Sequence, residues 1–194
     1  RQLLVANQHD IWILTSDESK RQLLQHSAVH LVLGNPAENG SWLNVLPPAL
    51  DIIINLYSPY TKQKISNADL ENIYATQITK IAQNISYIAE RTKCPKLFQL
   101  IPPNYYGNVV TGTISERNPE NLNSFALGYQ GLIRHFNAAA NISTTYLILA
   151  NFIYNSEGQT YPAIPKLFNK IYPIINHGDN WISVIHLDDL CSSI

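Results

Sequence analysis

His186, Asp188 and Asp189 form a His-x-Asp-Asp pattern, and Tyr105, Tyr106 and Tyr129 carry phenols able to give or take a proton. An imidazole beside two carboxylates is the material of a metal site or an acid–base pair. The same spacing at a strand-to-helix turn is better explained by capping and loop anchoring, with Asp188 placed to cap a final helix. Tyr105 and Tyr106 are candidate acids beside a substrate pocket, or one stacks in a loop while the other packs in a core. Tyr129 is open to two readings of the same kind, acid or core residue of a helix face. The other histidines are scattered and give no metal spacing. Cys94 and Cys191 lie too far apart for a CxxC pair or a disulfide framework. Two such thiols fit a reducing, cytoplasmic setting.

Composition narrows the classes further. Thirteen basic and fourteen acidic residues give a net charge of -1 in 194 residues, which excludes a strongly basic nucleic-acid platform. Hydrophobic residues at 45% supply a core, while charged residues reach only 14%, below the usual share of about 25%. Asn and Gln outnumber the charged residues, so the surface is largely neutral and polar. No apolar run approaches the roughly 18 residues of a membrane span.

The elements that must position these side chains alternate. Residues 11–15, 29–33, 51–56, 97–101, 145–149 and 182–186 read as strands. The run Asp51-Ile52-Ile53-Ile54-Asn55-Leu56 is the kind buried on both faces of a parallel sheet. Residues 1–9 read as the end of a helix, and Ser16 or Asp17 can cap a helix after the first strand. Leu70, Ile73, Tyr74, Ile78, Ile81, Ile85 and Ile88 recur at steps of three and four, predicting a helix over 69–90. Another helix is expected over 122–140, a loop over 104–121 and a weaker helix over 163–172. Strands alternating with helices predict an α/β fold: a Rossmann-like, doubly wound parallel sheet with helices on both faces. Ligands of such sheets bind at the carboxyl ends of the strands.

Four segments in order resemble one family, the extended short-chain dehydrogenases/reductases of the epimerase-like branch (NAD-dependent epimerase/dehydratase). Asp51–Leu56 is similar to its D-x-V-I-N-L-A-G segment. Leu97-Phe98 with Tyr105-Tyr106-Gly107 is similar to v-F-x-S-x-S-A-V-G-Y-Y-G. Ile114–Pro119 resembles l-T-E-E-S-P, and Gly178–Leu190 resembles G-x-x-x-x-S-W-I-H-I-D-D-L, the most specific of the four. The resemblance implies a single NAD(P)-binding domain over 1–194, with small substrate-side elements within about 151–180. It also implies a first strand and a glycine-rich turn, roughly 15–20 residues, preceding Arg1.

Function follows from the same resemblance as an expectation: an NAD(P)-dependent oxidoreductase or epimerase acting on a sugar or nucleotide-sugar. In the family a Tyr is the acid/base, a Lys tunes it, and a Ser orients the substrate oxygen. Here Gln99 and Ile101 stand where Ser is expected, and Tyr129 is followed four residues later by Ile133 rather than Lys. The alternative is therefore a dinucleotide-binding pseudoenzyme acting as a sensor or interaction module. Tyr106, Tyr105 and Tyr129 are the candidate catalytic residues. Ser16, Asp17, Asn55, Leu56, Tyr57, Ser58 and Gln99 are the candidate cofactor-binding residues. Ser16 replaces a basic residue and Asp17 is acidic, which favours NAD over NADP. Asp17 as a simple helix cap is the competing reading. Ala150-Asn151-Phe152 stands where the family has Arg-Thr-Gly. No metal, nucleic-acid or membrane partner is expected, and a homodimer through helices 69–90 and 122–140 is compatible with the family.

Overall fold

The computed structural model describes residues 9–22, 27–57, 67–106, 124–139, 141–149, 152–155, 160–161 and 184–194. The helical readings at 1–8 and 163–172 lie outside the described residues, as do Ser58, Gly107, 114–119, Ala150-Asn151 and Gly178–Ser183. In chain order the strands are β1 (Ile11–Thr15), β2 (Val29–Leu33), β3 (Ile52–Asn55), β4 (Lys96–Ile101), β5 (Ser143–Ile148), β6 (Phe152–Tyr154), β7 (Thr160–Tyr161) and β8 (Val184–His186). The helices are α1 (Asn67–Arg91), α2 (Ser124–Ala138) and the short α3 (Leu187–Ser192).

The chain divides into two compact units, one holding residues 1–100 and 104–147, the other 101–103 and 148–194. In the first, β1 pairs with β2 in parallel, Ile11 opposite Val29 and Thr15 opposite Leu33. A second sheet has the order β3-β4-β5. There β3 and β4 are parallel, with Ile52 opposite Lys96 and Asn55 opposite Gln99. Ser143 N–H donates to the Pro95 carbonyl and Leu149 N–H to the Ile101 carbonyl. Both partners advance by six residues, so β5 runs parallel to β4 as well. In the second unit β6 is parallel to β8 and antiparallel to β7. The α/β, Rossmann-like class is that predicted. Among the described residues the sheet comes in three pieces, and the β6–β7 hairpin departs from an all-parallel sheet.

Burial follows strand order. Central β4 is the best-buried strand, with Leu97 at 0%, Gln99 at 0% and Ile101 at 1% exposure on one face and Phe98 at 4% on the other. The apolar run of β3 was expected to be equally buried, yet Ile52 is 46% and Leu56 63% exposed. The expectation fails because, among the described residues, β3 has a sheet partner on one side only. For the same reason β5 alternates between exposed and half-buried residues.

The core of the first unit joins both of its sheets. Val32, Trp42 and Ile88 are buried together, with Trp12, Leu14, Leu43, Leu46, Leu50 and Ile53 packed against them. Thus α1 presents Ile88 to residues from β1, β2 and β3. Ile78, Ile81 and Ile85 of the predicted stripe are buried as well. Gly128 of α2 sits against α1: a Cβ there would lie 3.3 Å from Ile78 Cδ1 and 3.5 Å from Ala75 Cα. The end of α1 is a Schellman turn, in which Cys94 N–H bonds the Ala89 carbonyl and Lys93 N–H the Glu90 carbonyl. Lys93 takes the left-handed position, φ 53°, where glycine is usual.

Candidate functional site

Parallel strands end on the same edge, so the residues just past β3 and β4 are neighbours. Asn55 ends β3 and Gln99 lies near the end of β4, directly opposite in register. Asn55 Nδ2 donates to Gln99 Oε1 at 2.7 Å, and Tyr57 N–H donates to Asn55 Oδ1 at 3.1 Å. Gln99 Nε2 donates to the Leu100 carbonyl at 2.8 Å. Both side chains are buried, as a polar group in an apolar strand can be once its hydrogen bonds are made. Leu56 projects outward beside them, while Tyr57 is half-buried.

Burial, and then the negative charge of Glu38, push the Tyr57 phenol above its ordinary range. Glu38 lies past the carboxyl end of β2 and Tyr57 past that of β3. The two residues are near enough for the Glu38 charge to act on the Tyr57 phenol. The 34–44 segment that carries Glu38 is firmly built. Asn35 Oδ1 accepts from Ala37 N–H at 3.0 Å and Asn35 Nδ2 donates to Glu38 Oε1 at 2.8 Å. Trp42 Nε1 donates to the Glu38 carbonyl at 3.2 Å, and Asn84 Nδ2 of α1 donates to the Pro36 carbonyl at 2.7 Å. The Trp42 indole is seated against two glycines. A Cβ on Gly34 would lie 2.4 Å from Trp42 Cδ1, and one on Gly40 2.7 Å from it.

Beyond β1, Asp17 N–H donates to Thr15 Oγ1 at 3.1 Å. Asp17 Oδ1 accepts from Ser19 N–H at 3.0 Å and Ser19 Oγ at 2.5 Å. Asp17 therefore acts as a cap, but the segment it caps, Glu18–Gln22, is a 3-10 turn rather than the expected α-helix. Ser16 is exposed beside it. Past β4, Pro103–Tyr106 is a 3-10 turn that holds Tyr105 and Tyr106 edge to face, ring centroids 5.1 Å apart. Both rings are buried, and so is Tyr129 on α2.

In the second unit, α3 is capped by His186 itself: its Nδ1 accepts from Asp188 N–H at 3.2 Å. Asp188 was expected to be the cap; it stands instead in the first turn of the helix with Asp189, because the helix begins two residues earlier. Among the described residues no group of three or more His, Cys, Asp or Glu is placed to hold a metal ion. None of the described helices is long and apolar enough to cross a membrane.

The structure thus brings Asn55, Tyr57 and Gln99 into one hydrogen-bonded set, with Leu56 on the same turn. Ser16 and Asp17 occupy the end of β1, and the two adjacent tyrosines the end of β4. Sequence reasoning missed Glu38 and Trp42. Gly34 and Gly40 shortly before Trp42 were the available signal, since a large ring needs bare backbone beside it to lie flat.

Comparison with solved structures gives this arrangement a setting. The chain is similar to DesIV, a dTDP-glucose 4,6-dehydratase from Streptomyces venezuelae solved with NAD bound, at a TM-score of 0.76 and 16% identity over 99% of this chain. It is similar to WbmG of Bordetella bronchiseptica, solved with NAD and UDP, at 0.67 and 15% over 99%. The UDP-Glc/GlcNAc 4-epimerase of Campylobacter jejuni gives 0.68 and 15%, again over 99%. The likeness is one of fold, the α/β Rossmann-like fold that these proteins share with this chain. The chain spans 65%, 61% and 67% of those three proteins. No protein-family model and no curated protein matches the sequence. In a Rossmann-like parallel sheet, the strand ends such as those carrying Asp17, Asn55–Tyr57 and Tyr105-Tyr106 are where ligands are received.

Proposed function

We propose that this chain is the dinucleotide-binding part of an NAD(P)-dependent epimerase- or dehydratase-like oxidoreductase that acts on a nucleotide-sugar. The observation that carries the reading is the single carboxyl edge formed by β3 and β4, with the Asn55–Tyr57 turn and the tyrosine pair beside it. Solved proteins of this fold hold NAD. The residues present fit a dinucleotide. The Asp17 carboxylate and Ser16 hydroxyl suit ribose hydroxyls and offer no positive charge to a 2′-phosphate, so NAD is favoured over NADP. Asn55, Leu56 and Tyr57 form the wall on the adenine and ribose side, with Gln99 beneath.

When bound, NAD supplies a hydride acceptor. The chain's own part is to move the proton of the sugar hydroxyl being oxidised, through a phenol among Tyr105, Tyr106 and Tyr129. The small elements within about 151–180 supply substrate contacts in this reading. Two free thiols, Cys94 buried and Cys191 exposed, agree with a cytoplasmic setting. Pairing of two copies through α1 and α2 is part of the same proposal; Tyr87 and Leu127 there are 51% and 50% exposed.

The test is turnover of UDP- and dTDP-hexoses by the full-length protein, with the three Tyr→Phe variants beside the wild type. The variant that removes the acid should lose about 100-fold or more in kcat while retaining NADH binding. Cofactor binding with no chemistry on any nucleotide-sugar would favour the sensor reading, which rests on Gln99 and the buried Ile101 standing where the family has Ser.

A further inference from the structure

The hydrogen bonds around Gln99 run in one direction. A backbone donor, Tyr57 N–H, begins the chain and a backbone acceptor, the Leu100 carbonyl, ends it. Their polarity cannot reverse. The Tyr57 N–H requires the oxygen of Asn55, which turns Asn55 Nδ2 toward Gln99. That donor requires Gln99 Oε1, which turns Gln99 Nε2 toward Leu100. Both amide orientations are therefore fixed by the backbone at either end. Gln99 has 0% exposure, so its side chain reaches no ligand. Its amide carries an acceptor to Asn55 at the end of β3 and a donor to the Leu100 carbonyl.

We infer that Gln99 is a positioning residue: it holds the Asn55 amide, and through it the Tyr57 backbone, in the conformation that lets the 55–57 turn receive the dinucleotide. The inference rests on the proposed function. Removing the Gln99 amide leaves Asn55 Nδ2 buried without its acceptor, which loosens the bond between Asn55 and Tyr57 N–H.

The experiment uses the full-length protein and two readouts, amide hydrogen exchange at Tyr57 and the Kd for NADH. The variants are Gln99→Leu, Gln99→Glu and, as a control of similar destabilisation away from the site, Ile81→Val. Gln99→Leu should speed Tyr57 exchange and raise Kd about tenfold beyond the control, as expected for one lost buried hydrogen bond. Gln99→Glu supplies a pH-dependent rescue. Protonated, its carboxyl accepts from Asn55 and donates to Leu100, copying the amide; ionised, it sets an oxygen against the Leu100 carbonyl. Its NADH affinity should approach the wild-type value near pH 5.5 and fall by pH 8, relative to wild type at each pH, whereas Gln99→Leu stays weak at both. Burial favours the protonated acid, which keeps the test open if Gln99→Leu does not fold. Faster Tyr57 exchange in Gln99→Leu with unchanged Kd would overturn the inference, as would a Gln99→Glu variant that binds NADH no better than Gln99→Leu at pH 5.5. If the wild type itself bound no NADH, the proposed function would fall, while Tyr57 exchange would still decide whether Gln99 positions the turn.

Discussion

Gly34→Ala should be far more damaging than one methyl group suggests. The added Cβ would stand 2.4 Å from Trp42 Cδ1, 2.5 Å from Cγ and 2.9 Å from Trp42 Cβ. Ordinary carbon contacts lie at about 3.5–4.0 Å, so three atoms overlap by roughly 0.6–1.6 Å. Trp42 is only 5% exposed and is held by Val32 and Ile88, so the ring has nowhere nearby to go. Overpacking alone costs about 1–3 kcal/mol, and full expulsion of the ring approaches the roughly 3–5 kcal/mol of a Trp→Ala change. About 3 kcal/mol is the expected loss. Urea unfolding followed by tryptophan fluorescence and circular dichroism measures it. The decisive comparison is a double-mutant cycle with Trp42→Ala. Gly34 lies outside the left-handed region, so alanine meets no backbone penalty there, and once the ring is gone the added Cβ meets only the Cβ of residue 42 at 2.9 Å, so the cost of Gly34→Ala should fall to about 1 kcal/mol or less. Coupling of about 2 kcal/mol or more is expected. Additive effects would refute the argument that Gly34 is glycine because of Trp42.

Lys93→Gly should stabilise the protein by about 1 kcal/mol, since the Schellman turn places this residue at φ 53°; a lower urea midpoint would contradict this. Tyr57, raised by burial and then by Glu38, binds its proton more tightly folded than unfolded. Its stabilising contribution is therefore complete below the ordinary tyrosine pKa of about 10 and is lost as pH climbs through the folded value. Tyr57→Phe should flatten the stability profile above that pH, and Glu38→Gln should lower the Tyr57 value in a 295 nm titration. A thiol reagent should label exposed Cys191 quickly and Cys94 slowly, because burial shields the latter and pushes its thiol pKa up; equal rates would count against the described packing.

Much of the fold was legible because it rests on local patterns. The residues Ile11–Thr15 and Val29–Leu33 form the expected strands without a shift of boundary. The isoleucine stripe gave α1 within two residues at either end. What could not be read depends on pairing. The strands Phe152–Tyr154 and Thr160–Tyr161 are too short for an alternation to show, and exist through their partners. The exposure of Ile52 is set by how many strands flank β3, which its sequence does not encode. At the candidate site, Asn55 and Gln99 were each visible as polar residues in apolar strands. Their mutual bond required the register that sets one opposite the other. Asp17 shows the same limit: its capping role was readable, but the type of turn it caps was decided beyond it.

The central claim is that the carboxyl edge of these strands receives a dinucleotide with an unphosphorylated ribose. Calorimetric titration of the full-length protein with NADH and NADPH in parallel tests it most directly. Saturable micromolar binding with NADH preferred, weakened when Asp17 is changed to Asn, is the predicted result; no binding of either nucleotide would contradict it.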